Sequence, residues 1–151
     1  MKISEFLQPE AISLHLEAQS SEDVIRALGT RLLQLGYVKD DFIEATLKRE
    51  ASMPTGLPLG GEINAAIPHV DIEYVNRSAL ALATLKQPVP FYNMVEIDEV
   101  VPVQLVIMLA LDKPKSQIEM LQTVSGILQQ PELIERIMKA STSAEVLALL
   151  S

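Results

Sequence analysis

The chain of 151 residues is 48% hydrophobic and 21% charged, the balance of one globular domain with enough apolar residues to bury a core rather than of a disordered segment. Its 12 Lys and Arg against 20 Asp and Glu give a net charge of −8, which argues against a nucleic-acid binder, and three Phe, three Tyr and no Trp leave little for base stacking. With no cysteine there is no disulfide, zinc–thiolate site or thiol nucleophile, a usage that fits a cytoplasmic protein.

The elements follow in chain order. Ile12 to Leu16 alternates apolar and polar residues as a short strand does. Ser20 or Ser21 is placed to cap a helix running to about Leu35, with Val24, Leu28, Leu32 and Leu35 as its apolar stripe and Gly36 to end it. A second helix is predicted from Asp40 or Asp41 to about Glu50, with Lys48 and Arg49 at the end that favours cations. Two prolines and three glycines between Met53 and Gly61 make a loop, which leads to a short apolar strand from Asn64 halted at Pro68 and His69.

Ala79–Leu85 and Leu105–Leu111 are continuously apolar with β-branched residues mixed in, the pattern of strands buried on both faces. Gln87 to Phe91 carries two prolines and is expected to be irregular or at an edge. Ser116 is expected to cap a helix to about Gln130, Pro131 to open another, and Ser143–Leu150 to form a closing one. The reading is a single α/β domain over residues 1–151, a mixed β-sheet flanked by helices on both faces. The longest apolar run is far short of the ~20 residues of a membrane span, and the N-terminus lacks the features of a targeting segment.

Most catalytic signatures are struck off. Gly56 and Gly61 have P-loop spacing, but Glu62 and Ile63 stand where Lys and Ser or Thr are required. No Gly-x-Ser-x-Gly elbow or His-Glu-x-x-His pair occurs, and only two histidines are present. His15 lies within a strand pattern and reads as structural. His69 follows a strand-ending proline at a strand tip, where α/β proteins commonly display reacting groups, and a neutral imidazole is a competent nucleophile. The alternative is a surface histidine at a strand end, and Asn64, Asp71 and Glu73 either orient it or are simply solvated.

Ala66-Ile67-Pro68-His69, preceded by an acidic residue and by the Lys48-Arg49-Glu50 helix end, resembles the enzyme IIA domain of the bacterial phosphotransferase system (PTS), mannitol/fructose type. Pro54-Thr55-Gly56 and Ser116 to Leu121 look most like its galactitol-specific branch. The resemblance implies a phosphocarrier in which His69 accepts a phosphoryl group from the phosphocarrier protein HPr. It then passes the group to a cysteine of enzyme IIB, with the membrane enzyme IIC further along. No cofactor, metal, nucleic acid or membrane insertion is implied, and a monomer suits a protein that docks two carriers in turn.

The resemblance also assigns residues. Arg49 is the cation for the phosphoryl charge. Gln117 stands where many relatives carry a second histidine, and offers a hydrogen bond in place of a charge. Glu62 is the acidic residue before His69, one place further upstream than in the mannitol branch, so that either an orienting role or a plain loop carboxylate is open. A nitrogen-type regulatory enzyme IIA, working as a phosphorylation-dependent binding module, is the second reading. A non-catalytic domain with an incidental His69 is the third.

Overall fold

Seven consecutive residues, Ala79 to Leu85, are all buried, as are Leu105 to Leu111. Successive strand residues point to opposite faces, so such runs require cover on both. In the computed structural model, which describes residues 1–151, they form the centre of a five-stranded sheet. The strands are β1 (Leu7–Leu16), β2 (Gly56–Leu57), β3 (Ala65–Ala66), β4 (Ala79–Tyr92) and β5 (Val100–Ala110), in the spatial order β1-β4-β5-β3-β2. β1 is parallel to β4, β4 antiparallel to β5, β5 parallel to β3 and β3 antiparallel to β2, which makes the sheet mixed.

Five helices cover it: α1 (Ser21–Gln34), α2 (Phe42–Ser52), α3 (Pro114–Leu128), α4 (Pro131–Lys139) and α5 (Ser143–Leu150). None is long and apolar enough to cross a membrane. The Ser20 hydroxyl caps α1 by accepting from the Asp23 N–H at 3.1 Å, and Gly36, at φ +82°, supplies the left-handed residue just past the helix end. Val24, Ile25, Leu28 and Leu32 of α1 are fully buried, and the helix packs on β4 with α2 against it.

Several expectations are corrected. β1 begins at Leu7, not Ile12; it is an edge strand, so Pro9 removes no ladder bond that a central strand would need. Gln87 to Phe91 continues β4 instead of leaving it. Beyond Leu85 the strand pairs only with β5, through Val89–Val103 to Tyr92–Val100 after a register shift, and its free side accommodates Pro88 and Pro90. Ser116 does not cap α3: Lys113 is the N-cap and Pro114 opens the helix with its preset φ. The strand predicted from Asn64 to Pro68 shrinks to Ala65–Ala66, and the Gly-rich loop contributes β2.

That last correction positions the site. Ala65 and Ala66 pair with Leu105 and Val106, the Leu109 N–H donates to the Pro68 carbonyl at 3.0 Å, and His69 bridges to Leu109. On the other side Gly56 pairs with Ala66, and the Ile67 N–H donates to the Thr55 carbonyl at 3.3 Å. The end of the β4–β5 hairpin folds over β2, where Met94 N–H donates to the Gly56 carbonyl at 2.9 Å. Residues 65–69 are thus held between a long central strand and a pinned loop.

Candidate active site

His69 is 8% exposed at the tip of this held segment. Its Nδ1 lies 2.7 Å from the Ile67 carbonyl oxygen. A carbonyl only accepts, so Nδ1 carries the proton and Nε2 keeps the lone pair of the neutral ring. Burial pushes the imidazole below its ordinary value of 6.5; the Ile67 carbonyl opposes this, the Arg49 charge adds to it, and Asp71 opposes it weakly. The ring is therefore held neutral with one defined nitrogen free.

Arg49 reaches the same place from the last turn of α2. Its guanidinium makes no ion pair within the chain; Nη1 lies 3.7 Å from the Met53 sulfur, and the buried Nε–H has no partner. A buried unpartnered donor costs about 1–3 kcal/mol, so this one is kept in the folded protein at a loss. Arg49, Met53, Val70 and Asp71 line a shallow cavity of about 340 Å³ beside the histidine.

The neighbouring Glu50 is half-buried, and its carboxylate accepts from both the N–H and the hydroxyl of Thr55, each at 2.8 Å. Burial raises its pKa above the ordinary carboxylate value, while the two Thr55 bonds and the Arg49 charge hold it down. Neither residue belongs to a catalytic signature legible in the sequence. One signal was available: an acidic side chain in the last turn of a helix faces the negative end of the helix dipole and needs another reason to be there.

The other predicted residues lie at varied distances from this centre. Gln117 sits in the first turn of α3, which follows the end of β5 that bridges to His69; it is half-buried, and its side chain makes no hydrogen bond within the chain. Glu62 is exposed on the loop before β3 and lines a separate cavity of about 380 Å³ with Leu128 and Ile134 of the α3–α4 corner. Asn64 is a clamp: its side chain accepts from Leu59 N–H and donates to the Pro102 carbonyl. Glu73 is exposed, and only its backbone carbonyl is engaged, by Lys39. His15 is exposed at φ +53° in a register shift of β1, where its N–H donates to the Thr84 hydroxyl.

Comparison with known proteins bears on the same architecture. The family model described as "Phosphoenolpyruvate-dependent sugar phosphotransferase system, EIIA 2" matches residues 5–151. The galactitol-specific EIIA component of the PTS of Escherichia coli (strain K12) is 35% identical over 116 residues, which cover 76% of this chain and 75% of that protein. The crystal structure of IIA mannitol from Escherichia coli superposes with a TM-score of 0.77 at 29% identity, covering 95% of this chain and 98% of that one. Enzyme IIA of the mannitol system in complex with phosphorylated enzyme IIB, also from Escherichia coli, gives 0.78 at 27% identity over 95% and 97% of the two chains. The mixed α/β fold expected from the resemblance is the one observed. From the match over residues 5–151 and the shared fold it follows that the chain belongs to the EIIA 2 family of the sugar phosphotransferase system, whose members are phosphotransferases that pass phosphoryl groups through a histidine.

Proposed function

We propose that the protein is a cytoplasmic phosphocarrier in which Nε2 of His69 takes a phosphoryl group from the phosphohistidine of HPr and gives it to a cysteine of enzyme IIB. The observation that carries this reading is the 2.7 Å approach of His69 Nδ1 to the Ile67 carbonyl, which leaves Nε2 as the nitrogen with a lone pair. In the first step that lone pair forms a bond to phosphorus while the donor's phosphorus–nitrogen bond breaks and its ring recovers the electron pair. The ring gains positive character as the bond forms, and the proton that stays on Nδ1 remains bonded to Ile67. In the second step a thiolate attacks phosphorus in line, and His69 returns to its neutral tautomer.

Such a transfer depends on positioning and on cancelled charge. Arg49 supplies the charge, and its unpartnered Nε–H is a donor that a phosphoryl oxygen would satisfy. Gln117 adds an amide hydrogen bond from α3. Glu62, exposed and turned to another cavity, has no part in the transfer. The identity to a galactitol-specific component supports galactitol as the hexitol whose uptake, through IIB and the membrane enzyme IIC, this carrier serves.

The test is intact mass after incubation with phosphoenolpyruvate, enzyme I and HPr, for wild type and His69→Ala. The expected result is a gain of one acid-labile phosphoryl group that is absent from the variant. No gain in the wild type would remove the reading, and a gain that persists in His69→Ala would move the chemistry to His15. Transfer onward to a galactitol-type IIB, set against a mannitol-type IIB, tests the assignment of the sugar.

A further inference from the structure

The four contacts that end at His69 begin at Glu50. The Glu50 carboxylate accepts from the Thr55 N–H and hydroxyl, the Thr55 carbonyl accepts from the Ile67 N–H at 3.3 Å, and the Ile67 carbonyl accepts from His69 Nδ1 at 2.7 Å. We propose that Glu50 is a positioning residue for His69, setting the imidazole's tautomer and direction through Thr55 and Ile67. The proposal rests on the phosphocarrier reading for its kinetic consequence but not for its structural one.

Three features favour this over a plain loop latch. Pro54 and Thr55 are buried, yet they belong to a loop with two prolines and three glycines that has little regular structure to hold it. A carboxylate in that place is costly, because burial disfavours its charge and the helix end repels it. A hydrophobic residue would fill the space without that cost but would leave both Thr55 donors unpaired. Finally, Glu50 follows Arg49 directly in α2, so the one helix end that delivers the cation also fixes the strand that carries the nucleophile. The separation between charge and imidazole is then set by a single rigid element.

The experiment compares Glu50→Ala and Glu50→Gln with wild type. The 15N shifts of the His69 ring report the tautomer and its titration, and single-turnover phosphorylation by phospho-HPr reports transfer. In Glu50→Ala the single Nδ1–H tautomer is expected to give way to an averaged pair. The maximal transfer rate is expected to fall about 10- to 100-fold with little change in the half-saturating concentration of donor, the cost of misplacing a reacting group by a fraction of an ångström to an ångström. Glu50→Gln, whose amide oxygen still accepts from the Thr55 N–H, is expected to restore both readouts to within about threefold.

If Glu50→Ala does not fold, Thr55→Val removes one of the two bonds and is expected to shift both readouts in the same direction by a smaller amount. Ring shifts and transfer rates equal to wild type in a folded Glu50→Ala, or in Thr55→Val where that variant must stand in, would overturn the proposal. A wild type that takes no phosphoryl group would instead defeat the phosphocarrier reading, and the ring shifts would still decide the positioning role.

Discussion

Ile67 and His69 are joined by a hydrogen bond that spans a single proline: the carbonyl of one lies 2.7 Å from the ring Nδ1 of the other. The tautomer of the histidine is therefore set within three residues of chain, provided those residues are held, and β5 and the Thr55–Gly56 loop hold them from either side. Phosphorylation is expected on Nε2 alone. Phosphorus–nitrogen couplings in 15N-labelled protein would show it, and a signal from phosphorus on Nδ1 would contradict the geometry.

The buried imidazole also fixes the sign of two pH effects. Because the folded value lies below 6.5, the nucleophile stays neutral as pH falls, and the phosphorylation rate is expected to hold level from about pH 8 to below 6.5 before declining. Stability moves with it. Between 6.5 and the lower folded value the unfolded chain binds a proton that native His69 refuses, so the contribution is present above 6.5 and lost as pH falls through that window. Chemical denaturation across this range should show a steeper loss for wild type than for His69→Ala.

Arg49 should separate activity from stability. Its Nε–H is buried without a partner and it forms no ion pair, so Arg49→Met, which keeps the apolar stem, is expected to leave the melting temperature unchanged or raise it. The same variant is expected to lose about 100- to 1,000-fold in phosphoryl transfer, the scale for removing one donor aimed at developing charge. Rapid-quench kinetics with a thermal melt on the same sample checks both halves.

Gln117→Ala is expected to slow transfer by about tenfold and to shorten the lifetime of the phosphorylated protein, which corresponds to one hydrogen bond to a charged group. Gln117→His should lengthen that lifetime at pH values where the new imidazole is charged. Release of inorganic phosphate from purified phosphoprotein measures it, and equal lifetimes in all three proteins would take Gln117 out of the site.

Gly56 is required for a reason of space. A Cβ there would lie 2.5 Å from the Tyr92 carbonyl oxygen and 3.3 Å from the buried Phe91 side chain, while the Gly56 carbonyl is tied to the Met94 N–H. The clash is with backbone that cannot swing aside. Gly56→Ala is expected to destabilise the fold by about 1–3 kcal/mol, measured by urea unfolding, and to loosen the strand that presents His69.

Local regularities in the chain were enough for the α1 helix with its Ser20 cap and Gly36 stop, for the two central strands, and for the placing of Pro68 and His69 at a strand tip. Each depends on neighbours a few residues away, and periodicity records them directly. The long β4 was not legible, because Pro88 and Pro90 argue against a strand until it is known that β1 has stopped pairing at Leu85 and left that side free. The Ser116 cap failed for a similar reason: Pro114 starts the helix earlier, and both choices satisfy the local pattern.

At the site the division is sharper. His69 and Arg49 were within reach as residue types with a chemistry to offer, 20 positions apart. Their approach, the burial that keeps the ring neutral, the orphaned Nε–H and the line from Glu50 through Thr55 and Ile67 all depend on α2 ending where β2, β3 and β5 converge. Contacts between segments distant along the chain leave no period in it. The chemistry was written in the residue types, and the packing of one helix end against a pinned strand made it a site.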